Sequence, residues 1–166
     1  MDPIRTSRLV LRTLELGDAD WITAHISNPG VQRWLTGPPH PFALTDSESW
    51  LSDNAGKAFF RAIEVSGEPI GVVSITDDAT DLGYWLKEAA WGHGYMSEAA
   101  WALVQFHFDA GKGTLTSGWL DGNRASERVL RKLGFTDTGT RMDYSAFYGH
   151  EVLAHRVELP RPLHAS

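Results

Sequence analysis

The chain has 166 residues, a formal net charge of −6 and no cysteine. This length is typical of one domain that buries a hydrophobic core without needing disulfides or a metal, so we expect residues 1–166 to form a single domain. The negative charge argues against a broad basic surface for nucleic acid, and the lack of cysteine excludes disulfides and thiolate chemistry. No apolar run reaches the roughly 18 residues of a membrane span, and the N-terminus lacks a secretory signal, so we expect a cytoplasmic protein.

Hydrophobic periodicity and turn residues predict alternating strands and helices along the chain. In chain order they are a strand over 8–14, helices over 18–27, 31–35 and 45–53, strands over 58–65, 70–76 and 82–86, a helix over 95–110, a strand over 114–120, a helix over 123–133, and strands over 135–144 and 151–158. Asp18 is predicted to cap the first helix, and Thr45 with Glu48 to form a capping box on the third. This order indicates an α/β (α+β) fold with a mixed sheet.

The predicted strand Leu82–Leu86 leads to Gly92-His93-Gly94, which precedes the longest predicted helix. Glycines let a backbone turn tightly against a ligand, and the first amides of a helix are unpaired at its positive end. Such a turn can hold a pyrophosphate, although it can also be an ordinary tight turn. A dinucleotide fingerprint would need glycine at Ser97 and an early β-α-β unit, so a Rossmann fold is disfavoured.

A second motif lies in the predicted helix over 123–133. Ser126 shares a face with residues of core type, so its hydroxyl is either a tolerated small side chain or a functional group. Asn123 stands where an N-cap is expected. Arg124, Arg128 and Arg131 form a basic stripe, which is either solvated or in contact with phosphates.

Both motifs resemble segments of the GNAT superfamily of N-acetyltransferases. The sequence from Leu82 to Leu86, followed by Trp91 to Ala99, is similar to the acetyl-CoA motif of the ribosomal-protein N-acetyltransferase-like subgroup, G-Y-W-L followed by W-G-K/R-G-Y. The segment from Asn123 to Phe135 is similar to that subgroup's N-x-x-S-x-x-V-L-x-K-L-G-F. More loosely, the resemblance extends from Thr6–Arg12 to the last strand.

The resemblance implies a GNAT fold: a twisted mixed sheet of about seven strands, with helices on both faces. Strands 82–86 and 114–120 would splay apart to form the acetyl-CoA cleft. Ala89 replaces the superfamily's Gln or Arg before the turn, and His93 replaces a basic residue, so the pyrophosphate contact would fall to backbone amides. The implied cofactor-binding residues are Tyr84, Trp85, Leu86, Trp91, Gly92, His93, Gly94, Tyr95, Met96, Asn123, Ser126 and Arg128.

The implied reaction is direct acetyl transfer from acetyl-CoA to a primary amine, with a backbone amide near Leu86 polarising the thioester carbonyl. Ser126 is the expected acid for the departing thiolate, because Leu130 occupies the position where many members carry a tyrosine. Glu151 is the first candidate for the base that deprotonates the amine, and Asp143 is the second. A solvent-facing role for Glu151, with water as the base, is the alternative.

The sequence leaves the acceptor open. It is a protein N-terminal α-amine or a small molecule such as an aminoglycoside, a polyamine or an amino acid. A non-catalytic acyl-CoA-binding module is the alternative from another class. We expect no metal, because no histidines have ligand spacing, and no nucleic-acid or membrane partner. Monomer and homodimer both remain open.

Overall fold

The computed structural model describes residues 1–78 and 80–163. Within this part of the chain, the strands are β1 Ile4–Arg5, β2 Val10–Thr13, β3 Phe60–Val65, β4 Glu68–Ile75, β5 Leu82–Leu86, β6 Leu115–Leu120, β7 Thr136–Ser145 and β8 His150–Leu159. The α-helices are α1 Ala19–Ile26, α2 Pro29–Gln32, α3 Leu44–Asn54, α4 Tyr95–Asp109 and α5 Arg124–Lys132. None of the described helices combines the length and the hydropathy that crossing a membrane requires.

The strands form two sheets rather than one. The first has the order β1-β2-β3-β4-β5 and the second the order β6-β8-β7. The expectation of about seven strands missed β1, which has only two residues and therefore too little sequence to show a period of two. Strands β5 and β6 run parallel and meet at a bridge between Asp81 and Thr116. Beyond that bridge they separate, which confirms the expected splay.

Helices cover both faces of the five-stranded sheet, as expected. On one face, Leu11, Ile63 and Val73 belong to the core cluster that includes α4. On the other face, Ala62 and Val72 pack with buried residues of α1 and α3. Helix α4 packs one face into the core, and the buried residues of that face are Met96, Ala99, Ala100, Leu103, Val104, His107 and Phe108.

The predicted capping box at Thr45 and Glu48 is wrong. Helix α3 begins at Leu44, and the Ala43 N–H donates to the Asp46 carboxylate at 2.8 Å. Thr45 therefore lies inside the first turn. The pattern predicted the wrong helix start because a Thr-x-x-Glu spacing can also occur within a helix. Here Thr45 lies one residue after Leu44, the first residue of α3.

Asp18 does not cap α1 with its side chain. Its carboxylate instead accepts two hydrogen bonds from the Arg12 guanidinium, at 2.7 and 2.9 Å, and one from Trp21 Nε1 at 2.8 Å. Arg12 Nε also donates to Glu64 on β3 at 2.6 Å. Burial alone would raise the pKa of Asp18, but these donors and the Glu15 N–H together lower it. The cluster ties β2, β3 and α1 together.

We expect Asp18→Asn to lower the free energy of unfolding by about 2 kcal/mol at pH 7, because it removes one partner of a largely buried ion pair. Since the folded pKa of Asp18 is lowered, this contribution is present above its unfolded pKa of about 3.9 and is lost as the pH falls through the folded pKa. The difference between wild type and variant should therefore shrink below about pH 4. Urea unfolding at several pH values measures it, and exposed Asp20→Asn is the control. Equal effects of the two substitutions would contradict this role for Asp18.

Candidate active site

The separation of β5 from β6 opens a cleft of about 990 Å³. Its lining comes from β5, the glycine turn, the start of α5, strands β7 and β8, and the segment that holds α2 and α3. This volume lies at the upper end of the range usual for ligand pockets, so the cleft has room for a large ligand.

The glycine turn borders this cleft at the N-terminus of α4. Gly92 and Gly94 have φ values of 79° and 77°, in the left-handed region that residues other than glycine rarely adopt. Gly94 stands at the N-cap position, where it offers no side chain to the first amides of α4. Those amides have no partners within the helix, and Gly94, Tyr95 and Met96 line the cleft. The turn thus presents unpaired N–H groups to an anion.

The His93 side chain lies outside the cleft, unlike the glycines on either side. It is exposed, and its ring lies 5.3 Å from the ring of Tyr95. Its carbonyl oxygen accepts a hydrogen bond from Arg8 Nη1 at 2.8 Å. The His93 side chain is therefore not placed to contact a ligand in the cleft, whereas its backbone belongs to the turn.

The backbone groups of Tyr84 and Leu86 on β5 point into the gap between β5 and β6. Lys87 N–H donates to Ile70 O of β4 at 2.8 Å. Because backbone pairing alternates along antiparallel strands, Trp85 also faces β4, whereas Tyr84 and Leu86 direct their backbone groups away from it. The Leu86 carbonyl accepts from Trp91 Nε1 at 2.9 Å. The Leu86 N–H thus points into the cleft, as an oxyanion donor would need to.

Ser126 also reaches the cleft, and a tyrosine from the opposite wall contacts it. The Tyr84 hydroxyl lies 2.8 Å from Ser126 Oγ and 3.3 Å from its carbonyl oxygen. Asn123 caps α5 as expected, with its Oδ1 accepting from the Ser126 N–H at 3.3 Å. Burial raises the pKa of the Tyr84 phenol, which the Ser126 hydrogen bond offsets only in part. The phenol is therefore protonated at neutral pH.

The arginines of α5 differ in their contacts. Arg131 pairs with Glu127, one helical turn earlier, at 3.1 Å, and also with Asp137 at 3.2 Å. Arg128 is exposed and lines the cleft, and Lys132 on the next turn joins it. The cations that can meet a ligand on this helix are thus Arg128 and Lys132.

The two candidate bases lie in different surroundings. Glu151 is exposed on β8 and lies outside the cleft, whereas Asp143 on β7 lines it. Arg141 Nε donates to Asp143 at 2.8 Å. Asp143, rather than Glu151, therefore lies where a base could face a ligand in the cleft, and the catalytic role of either residue stays a prediction. The hairpin register pairs Asp143 with Val152 and Tyr144 with Glu151, and it decides which of these side chains faces the cleft. Sequence alone does not reveal this register.

Comparison with known proteins identifies the class. The model of the acetyltransferase (GNAT) domain family matches residues 8–136, and the chain therefore belongs to this family. An uncharacterized N-acetyltransferase, p20 of Bacillus licheniformis, is 27% identical over 161 residues, covering 90% of each chain.

Solved structures share the fold. A GNAT-family acetyltransferase from Bacillus anthracis superposes with a TM-score of 0.83 at 19% identity, covering 96% of this chain and 98% of that one. RimL, a ribosomal L7/L12 α-N-protein acetyltransferase solved in complex with coenzyme A, gives a TM-score of 0.82 at 21% identity with the same coverage. At these identities, the two structures establish the architecture alone.

We expect Gly94→Val to weaken binding of coenzyme A by at least about tenfold, because a β-branched residue is strained at positive φ and would close the turn. The added Cβ would also lie 3.4 Å from Arg8 Nη2. Gly111→Val is the matched control, since Gly111 follows α4 with the same φ of 77° and has open space around it. Isothermal titration calorimetry with coenzyme A distinguishes the two variants. Unchanged affinity in the Gly94 variant would remove the turn from the binding site.

Proposed function

We propose that the chain transfers the acetyl group of acetyl-CoA to a primary amine. The observation that carries this proposal is that the unpaired amides of the glycine turn and the Ser126 hydroxyl open into one cleft. The pyrophosphate of acetyl-CoA would lie on the amides at Gly92–Met96, with Arg128 at the rim. The amide-bearing pantetheine arm would enter the gap beside β5. The Leu86 N–H would then polarise the thioester carbonyl.

Ser126 and Tyr84 would together interact with the leaving group, the thiolate of coenzyme A. A serine hydroxyl is a far weaker acid than a thiol with a pKa of about 8.5, so full proton transfer from Ser126 to the thiolate is uphill. When Tyr84 donates to Ser126 Oγ, the Ser126 proton is free to point at the sulfur. The pair would thus stabilise the developing thiolate by a charge-assisted hydrogen bond.

The acceptor side of the cleft suits an amine joined to an apolar group. Trp34, Phe42 and Trp50 form an aromatic wall, and Asp143 with Arg141 lies on the β7 side. The apolar wall would remove the acceptor's side chain from water, while the carboxylate would attract the ammonium group. An α-amine next to an apolar side chain combines both features. The fold-level similarity to RimL is compatible with a peptide N-terminus as acceptor.

Thiol release from acetyl-CoA tests the proposal directly. The panel comprises peptides that differ only in their first residue, namely leucine, phenylalanine, serine or aspartate, together with a polyamine and an aminoglycoside. We expect turnover, with the highest kcat/KM for the apolar first residues. Thermal stabilisation by coenzyme A without turnover of any amine would favour a non-catalytic binding module instead.

We expect Ser126→Ala to lower turnover by at least about tenfold while the affinity for acetyl-CoA is nearly unchanged, because its hydrogen bond matters mainly in the transition state. Tyr84→Phe should have a smaller effect, since the serine hydroxyl remains. Ser74→Ala, another serine that lines the cleft, is the control. The measurements are kcat and KM for each variant. Unchanged turnover in the Ser126 variant would make this residue a packing group.

We expect Asp143→Asn to lower kcat/KM and Glu151→Gln to leave it unchanged, because only Asp143 lines the cleft. The loss should be larger for a lysine amine than for an α-amine. At pH 7, an α-amine of pKa about 7.8 is neutral in about one molecule in seven, whereas a lysine amine of about 10.4 is neutral in about one in 2,500. Rate profiles from pH 6 to 9 with both acceptors measure this. A loss confined to the Glu151 variant would restore Glu151 as the base.

A further inference from the structure

An arginine from the N-terminal segment contacts the glycine turn on the side away from the cleft. Arg8 Nη1 donates to the His93 carbonyl at 2.8 Å, and Arg8 Nε donates to the Glu98 carboxylate at 2.8 Å. The guanidinium also lies 4.8 Å from the centre of the Tyr95 ring. These contacts join two segments about 85–90 residues apart in sequence. Arg8 does not line the cleft, so its contacts are with the turn and not with the space for a ligand.

Glu98 fixes the position of this arginine. Its carboxylate accepts from Thr6 Oγ1 at 2.6 Å and from the Arg8 backbone N–H at 2.9 Å, in addition to Arg8 Nε. Burial alone would raise the pKa of Glu98, but the hydrogen bonds from Thr6 and Arg8 lower it. The carboxylate thus stays ionised and holds the Arg8 side chain beside the His93 carbonyl.

The orientation of one peptide follows from the Arg8 contact. In a trans peptide, the carbonyl of one residue and the N–H of the next point in opposite directions. Arg8 holds the His93 carbonyl on the side away from the cleft, so the Gly94 N–H is turned towards the opposite side. Gly94 itself lines the cleft. With the His93 carbonyl held by Arg8, the Gly94 N–H is oriented towards the cleft that Gly94 lines.

The position three residues before the glycine turn, where the superfamily carries Gln or Arg, supplies no polar side chain in this chain. Three residues before Gly92 stands Ala89, which has no polar side chain, and the His93 ring is directed away from the cleft. Both glycines are flexible in backbone, which makes an unsupported turn costly to order on binding. A restraint from outside the turn removes part of that cost in advance.

We propose that Arg8 is a positioning residue that preorganises the glycine turn for the pyrophosphate of acetyl-CoA. This inference rests on the proposed function. Arg8 acts through the His93–Gly94 peptide and makes no contact with the ligand. It therefore governs affinity for the phosphate-bearing part of the substrate and leaves the transfer step alone.

Two thioesters separate this role from a general structural one. Acetyl-CoA carries the pyrophosphate, whereas S-acetyl-N-acetylcysteamine carries the same thioester without any phosphate. We expect Arg8→Ala to raise KM for acetyl-CoA about tenfold, with kcat within about twofold of wild type. The variant's kcat/KM for S-acetyl-N-acetylcysteamine should be unchanged. The KM of Arg8→Lys for acetyl-CoA should lie between the values of wild type and Arg8→Ala, because one ammonium cannot span both Glu98 and the His93 carbonyl as a guanidinium does.

Arg12→Ala is the matched control, since it removes an arginine from the same segment whose ion pairs are with Asp18 and Glu64. It should lower stability without changing KM for acetyl-CoA. If Arg8→Ala folds poorly, Arg8→Lys carries the same comparison. Unchanged KM for acetyl-CoA, or equal losses with both thioesters, would overturn the inference. A wild-type chain that does not bind coenzyme A would overturn the proposed function, and this inference with it.

Discussion

The gap between β5 and β6 is the constraint on which the site depends. Two neighbouring parallel strands that stop pairing leave backbone groups without partners, and such groups are costly when buried away from water. The chain satisfies part of this need itself: Ser117 Oγ donates to the Leu82 carbonyl at 2.7 Å, and Trp91 Nε1 donates to the Leu86 carbonyl. The N–H groups of Tyr84 and Leu86 still face the gap. A ligand with amides of its own, as pantetheine has, is complementary to such an edge.

Charge poses a second constraint, because an acidic protein must hold a polyanion in the proposed reaction. It would do so without a broad basic surface. Backbone amides at the positive end of α4 carry no net charge, so they attract phosphate without changing the overall balance. Side-chain cations are then needed only at the rim, where Arg128 and Lys132 lie. Arg8 adds a cation behind the turn, where Glu98 neutralises it.

The sequence patterns predicted correctly some features that depend on interactions within one helix. The Asn123 cap follows from a pattern within one helix and is confirmed. The buried face of α4 and the Glu127–Arg131 pair likewise reflect spacings within one helix. The features that sequence missed are long-range. The contact between Tyr84 and Ser126 joins residues 42 positions apart, and no periodicity reports it. The placement of Asp143 depends on hairpin register, and the split into two sheets depends on where β5 and β6 stop pairing.

The proposed acid and base are both weak, and their weakness would suit an α-amine acceptor. An α-amine is already partly neutral at pH 7, and a thiolate is a stable enough leaving group to need a hydrogen bond more than a full proton. General acid–base catalysis contributes about 10²–10⁴-fold, whereas holding two reactants in line supplies effective molarities of about 10⁵ M and more. Most of the rate enhancement would then come from alignment in the cleft. Alignment needs a rigid turn, a strand edge with free amides and an apolar wall that orients the amine. The residues proposed to supply the strand edge and the wall are Leu86 and Trp34, and neither transfers a proton, whereas the proposed role of Arg8 is confined to the binding of acetyl-CoA.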